Sequence, residues 1–211
     1  MTVNTQRGSV LFYILLGVVL FAALSYLVMG MLRGTGDGGS SEQAKLQAQA
    51  IVDYAQQLKI ISQDMKLRGV AVDQFSFLQP ADAGYATAPH TAKIFHPLGG
   101  GAPIANLNDA FADGATKRFD VARIINLGTG TTAAEMVFGI RGLRKDVCEN
   151  LNRQLRNTAT IPNETVTYAA LFSTLPNGNA GACSSCINRS QQCFYSSTGT
   201  EYIFFSVLDI N

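Results

Sequence analysis

A run of residues without a single charge, SVLFYILLGVVLFAALSYLVMGML at positions 9–32, constrains this chain more than anything else in it. A helix over that run is about 36 Å long at 1.5 Å per residue, more than the roughly 30 Å hydrocarbon layer of a bilayer. Arg7 and Arg33 bracket it, and Tyr13 and Tyr26 lie nearer its ends than its middle, as residues that reach headgroups do. The run therefore predicts a transmembrane helix at 9–32. A cleaved secretory signal is the competing reading, but its apolar core is shorter and ends in a small-x-small cut site. Here the run continues through Tyr26, Leu27, Val28 and Met29. The short tail before it favours an N-in, C-out arrangement.

Of the 211 residues, those beyond the run suffice for one domain with a sizeable core. The expected organisation is a short basic leader or cytoplasmic tail at 1–8, the transmembrane helix at 9–32 and a Gly/Ser-rich linker at 33–41. An extracytoplasmic α+β domain with a cysteine-rich C-terminal loop follows at 42–211. Four glycines in RGTGDGGSS predict a break in helix at the linker. After it, 42–68 lacks Pro and Gly and carries Leu46, Ala50, Tyr54, Leu58, Ile61 and Met65 on one helical face. Ser40 or Ser41 is placed to cap that helix, and Gly69 to stop it. A coiled coil would show the same stripe as packing on the chain's own domain.

Short strands are expected within 70–77, at 93–96 and at 118–127, with Phe119, Val121 and Ile124 facing inward, amid a loop-rich 79–103. A second helix is expected from Thr132, with Glu135 completing a capping box, to about Asn157. Its apolar face is Met136, Ile140, Leu143, Val147, Leu151 and Leu155, and Gly139 and Gly142 mark close packing. Strands at 165–172 and 202–210, separated by a turn-rich 175–182, complete an α+β order in which helices pack on a small, mainly antiparallel sheet.

The four cysteines are Cys148, Cys183, Cys186 and Cys193, the last three in GACSSCINRSQQC. An even count in an oxidising compartment predicts two disulfides, for which three pairings exist. The favoured one joins Cys148 to a loop cysteine and closes the other two within the loop. Zinc could use the Cys183-x-x-Cys186 spacing, but a second close pair is missing. A redox-active thiol wants a strand-to-helix setting, and Asn-Gly-Asn-Ala-Gly-Ala precedes Cys183.

Little suggests an enzyme. His90 and His96 are the only histidines, in a Pro/Gly-rich region with Asp82 nearby and no recognisable catalytic pairing. They read as solvated or structural. Leu98-Gly99-Gly100-Gly101 is followed by Ala-Pro, not by a phosphate-binding helix, and 127–132 misses the Walker spacing. Without Arg7 and Arg33, 14 Lys and Arg stand against 15 Asp and Glu, so nucleic acid is not an expected partner. Arg141, Arg144, Lys145, Arg153 and Arg156 are interleaved with Asp146 and Glu149 and read as a solvated face. Asn163-Glu164-Thr165 and Asn188-Arg189-Ser190 fit the glycosylation acceptor pattern, which is common by chance. No catalytic residue, metal site or cofactor is expected.

The start MTVNTQRGSVLFYILLGVVLFAALSYLV resembles the N-terminal region of type IV pilins and type II secretion pseudopilins. In that family a basic leader ends in Gly and is cut by a prepilin peptidase, and the new amino terminus is methylated. The resemblance implies processing between Gly8 and Ser9, and anchoring and assembly through Phe12, Tyr13, Leu16, Leu20 and Leu24. It also implies a pilin-like fold, in which an amphipathic helix packs on a small sheet and a disulfide lies near the C-terminus. The implied role is a structural subunit of a type IV pilus or secretion-related filament. Its implied partners are other pilin-like subunits, prepilin peptidase, inner-membrane assembly proteins and the lipid bilayer. The place is the bacterial inner membrane, single-pass with a periplasmic domain, or outside the cell after assembly. The family's Glu five residues into the mature chain is replaced by Tyr13, which leans towards a minor subunit. A membrane-tethered periplasmic binding or scaffold protein is the alternative, and a membrane-bound enzyme a further one.

Overall fold

The computed structural model describes the backbone of residues 7–112, 118–125, 127, 134–172, 178–179 and 183–210. Within these, the side chains of 7–11, 27–39, 73, 118–125, 134, 178–179 and 210 fall outside the description. The chain divides into two compact units, residues 1–43 and 44–211.

Helix α1 spans Arg7–Leu67 and is helical through the glycines at 34–39, where a break was predicted. Among the described residues no helix is long and apolar enough to cross a membrane. The side chains described in the apolar run are those of 12–26. The transmembrane helix expected at 9–32 is corrected accordingly. The inner-membrane, single-pass placement with a periplasmic domain rested on that helix and is corrected with it.

Within the second unit the buried seam of α1 is Ala44, Ala48, Ile51, Ala55, Leu58, Ser62 and Met65, flanked by buried Tyr54. This alternation of four- and three-residue steps keeps one stripe on the core. Leu46, expected on that stripe, is 70% exposed. Gly69 ends the helix at φ +88°, a conformation that costs glycine little. Its N–H donates to Lys66 O (2.9 Å) and that of Val70 to Met65 O (3.1 Å), the paired bonds of a Schellman stop.

Six strands form one mixed sheet in the order β3-β5-β6-β2-β1-β4. They are β1 (Arg118–Ile125), β2 (Ala134–Leu143), β3 (Asn163–Glu164), β4 (Gly178–Asn179), β5 (Gln191–Ser196) and β6 (Glu201–Ile210). The pairs β1/β2, β2/β6 and β5/β6 are antiparallel, and the two-residue edge strands β3 and β4 pair in parallel with β5 and β1. The sheet carries apolar layers on both faces. Met136, Phe138 and Ile140 of β2 join Phe204 and Leu208 of β6 in a core with α1 and with α2 (Lys145–Arg156). Val137, Ile203, Phe205 and Val207 face the other way, onto Leu171 and Phe172 of α3 (Tyr168–Phe172) and onto Cys183 and Cys186.

Several predicted elements change. The helix expected from Thr132 is strand β2 up to Leu143, and only 145–156 is helical; Thr132 lies outside the described residues. The expected strand at 165–172 is largely α3. Residues 70–77 and 93–96 contribute one isolated bridge, Ser76 with Lys93, and no strand. The strand at 118–125 is present, with the predicted inward residues Phe119, Val121 and Ile124 outside the described side chains.

Candidate functional site

The loop between α1 and the sheet holds the densest polar cluster with unusual geometry. It is organised around Lys93, a buried residue whose ammonium donates to three carbonyls: Gly84 O at 2.7 Å, Tyr85 O at 2.8 Å, and Thr87 O. A buried cation needs its hydrogens accepted, and these carbonyls belong to the chain just preceding it. The ammonium thus ties the 84–87 turn to the bridge that Lys93 makes with Ser76.

The glycines of 98–101 serve this packing. A Cβ on Gly99 would meet Lys93 O at 2.2 Å and His90 O at 2.5 Å. One on Gly100 would meet Ile94 O at 2.5 Å and Met65 Sδ at 2.8 Å. The turn therefore needs side-chain-free positions to fold back on itself and onto α1. Arg68, in the turn just after α1, fastens it through Nη2 to Gly99 O at 3.1 Å, and Tyr54 OH on α1 donates to Pro103 O at 3.0 Å. Burial pushes the Tyr54 phenol up to about 12, against a lowering hydrogen bond at the Ala105 backbone.

His90 and His96 stack with ring centroids 4.1 Å apart and planes 7° from parallel. Tyr85 flanks His96 at 5.0 Å, its hydroxyl donating to Phe95 O. His96 Nδ1 accepts the N–H of Leu98 at 3.2 Å. Among the described residues, His90 Nδ1 is the buried side-chain polar atom with no hydrogen-bond partner. Burial, then His90 and Lys93, hold His96 below the ordinary histidine range. Asp82 caps its own turn, accepting from Gln79 N at 2.7 Å.

The cysteines lie on the other side of the sequence. Cys148 on α2 is bonded to Cys193 on β5 and Cys183 to Cys186, with all four buried and no free thiol. One helical turn beyond Cys148, the buried Asn152 side chain accepts from Cys193 N (3.0 Å) and donates to Cys193 O (2.8 Å) and Thr160 O (3.0 Å). Its amide takes the place of a neighbouring strand along that stretch of β5. Glu164 caps the 3-10 turn Ser184–Cys186, accepting from Ser185 N (2.8 Å) and from Ser184 N and Oγ (both 3.2 Å).

The structure separates the other expected groups. Phe12, Tyr13, Leu16, Leu20 and Leu24 are all exposed on α1. Gly8 and Ser9 fall within α1, with side chains outside the described residues. Of the five basic residues expected on one helix, Lys145, Arg153 and Arg156 lie on α2, Arg144 is its N-cap and Arg141 lies on β2. Arg141 on β2 pairs with Glu201 at 2.8 Å and lies over the Tyr168 ring. Arg144 pairs with Asp146, Lys145 with Glu149, Arg153 with Asn150 and Arg156 with Gln192. Of the 127–132 segment, read as a cap for a following helix, only Leu127 lies within the described residues, and the next element is strand β2. Among the described residues no group of three His, Cys, Asp or Glu could hold a metal ion.

Sequence reasoning missed Lys93, Asn152 and Glu164. A lysine amid Ile94 and Phe95 was the one visible signal, since burial among apolar residues calls for carbonyl acceptors. No family model, no curated protein and no solved structure matches this chain. The pilin-like or pseudopilin-like subunit and the membrane-tethered alternative both need a spanning helix. Both are set aside, because among the described residues none is long and apolar enough.

Proposed function

We propose that this chain is a non-catalytic assembly protein in which the apolar segment of α1 packs against the same segment of further copies. The observation that carries this reading is the exposure of every described side chain from Phe12 to Tyr26, in a stretch without charge. Among its large apolar residues exposure runs from 49% at Leu16 to 81% at Tyr26. A helix apolar on all sides has no face suited to water and calls for cover around its circumference. The stretch from Phe12 to Tyr26 alone is a cylinder about 22 Å long and 10 Å across with about 700 Å² of surface, close to the ~800 Å² per partner of a stable interface. Nearly all of it must be covered, which takes more than one neighbouring helix. A uniformly apolar surface without charges is complementary to itself, which favours copies of this chain as the cover. The paired basic residues and the absence of a free thiol fit a role without chemistry, and the two disulfides fit an oxidising compartment.

Sedimentation velocity with light scattering on the full chain tests this. The expected result is a discrete assembly of more than two copies, dispersed to monomer by Leu20→Arg with the far-UV spectrum unchanged. A wild-type chain that is monomeric at tens of micromolar, or a variant that assembles equally, overturns it.

A further inference from the structure

We infer that the stacked His90–His96 pair is an acid-sensitive latch: while both imidazoles are neutral it holds the 98–102 turn closed over α1, and gaining a proton releases it. The inference is independent of how α1 assembles, since it concerns only contacts within the second unit.

Both rings present a δ nitrogen that resists a proton in this geometry. His96 Nδ1 accepts the Leu98 N–H, so a proton there would place donor against donor and break the bond. His90 Nδ1 is buried with no partner; a proton there would create a buried charged donor with nothing to receive it. The parallel rings at 4.1 Å add repulsion once either carries charge.

The surrounding groups do not relieve this. On the same loop, Lys93 spends its three hydrogens on Gly84, Tyr85 and Thr87 carbonyls, which fixes a positive charge in the cluster. Tyr85 donates its hydroxyl to Phe95 O. From the turn that follows α1, the charged group reaching it is Arg68, a second cation, bonded to Gly99 O and paired with Asp64 of α1 at 3.0 Å. Asp82 is occupied with Gln79 N. Among the described residues no carboxylate is ion-paired with either imidazole.

The pair is also mechanically tied to the turn. His90 O accepts from Lys93 N, and His96 O accepts from Gly99 N (2.8 Å) and Gly101 N (3.0 Å). The glycines leave no slack, with Gly99 against the His90 and Lys93 carbonyls and Gly100 against Met65 and Ile61. Separating the rings therefore moves the turn that covers Ile61 and Met65 of α1. In the open form His96 returns to the ordinary imidazole pKa of about 6.5 and takes a proton more readily than in the closed form, where burial, His90 and Lys93 oppose it. The closed form is then fully favoured above that value and loses ground as pH falls through it.

The test is amide hydrogen exchange on the full-length protein with disulfides intact, at pH 7.5 and pH 5, corrected for intrinsic rates. Protection at Ile94 and Ala102, whose N–H groups close the loop onto Ser76 and Ile94, is expected to fall severalfold more than in β6. His96→Gln is expected to abolish the difference. Imidazole proton resonances of the wild-type chain give a second readout that needs no variant, with the His96 midpoint expected below 6.5. Equal protection at both pH values, or a His96 midpoint at or above 6.5, overturns the latch.

Discussion

Glu164 shows how much a single carboxylate can carry when the fold converges backbone donors on it. Burial opposes its ionisation, but hydrogen bonds from Ser185 and Ser184 prevail and hold it below the ordinary glutamate value of 4.5. A carboxyl depressed in the folded state contributes stability above the unfolded pKa and loses it as pH falls through the folded one. Glu164→Gln keeps the shape and removes the charge. It is expected to cost about 1–3 kcal/mol at pH 7, the scale of hydrogen bonds to a charged group. In urea unfolding with disulfides intact, the gap between wild type and variant should narrow as pH drops from 5 to 3. A gap independent of pH would show that the charge contributes nothing. The sequence held no trace of this role: Glu164 stood in a tripeptide that fits a glycosylation pattern, and Ser184 lies 20 residues away. Only the pairing of β3 with Tyr195 and Ser196 of β5 brings that region together.

At the level of elements, what could be read depended on how many faces of an element are buried. The stop at Gly69 and the final strand were legible because each has a local signature, a glycine after a periodic helix and a β-rich run. The segment that became β2 was not. It lies at the centre of the sheet with core on both faces, so its apolar residues run together instead of alternating. Met136, Ile140 and Leu143 then match a helical period as well as a strand. Gly139 was read as a mark of close packing, and the geometry explains the packing: a Cβ there would meet the Phe172 ring at 2.3 Å. Phe172 is held in place by stacking on Tyr168 at 4.6 Å, whose hydroxyl donates to Gly139 O. Gly139→Val suits strand propensity yet forces the ring of α3 off the sheet. It is expected to lower stability by about 1–3 kcal/mol, the usual range for overpacking, seen as a lower urea midpoint. An unchanged or higher midpoint would mean that α3 shifts without cost.

For the molecule as a whole, the two disulfides divide by the length of chain they close. Count and loop placement raised the expectation of two bridges, and the favoured form, Cys148 to a loop cysteine with the other two closed within the loop, is the one present; that the loop partner is Cys193 depends on α2 lying beside β5, which no local pattern reveals. Cys148 and Cys193 are 45 residues apart in sequence, Cys183 and Cys186 only three. On the chain-entropy scale these closures are worth about 4 and about 2 kcal/mol. The longer bridge also stands beside the Asn152 bonds to the Cys193 backbone, so its loss loosens α2 from β5 at two points. Replacing both Cys148 and Cys193 by Ala is therefore expected to lower unfolding free energy by at least 2 kcal/mol more than replacing Cys183 and Cys186. The comparison is made by urea titration without reductant. Equal losses would mean that the closed loop length does not set the stabilisation, and that native contacts around each bridge do.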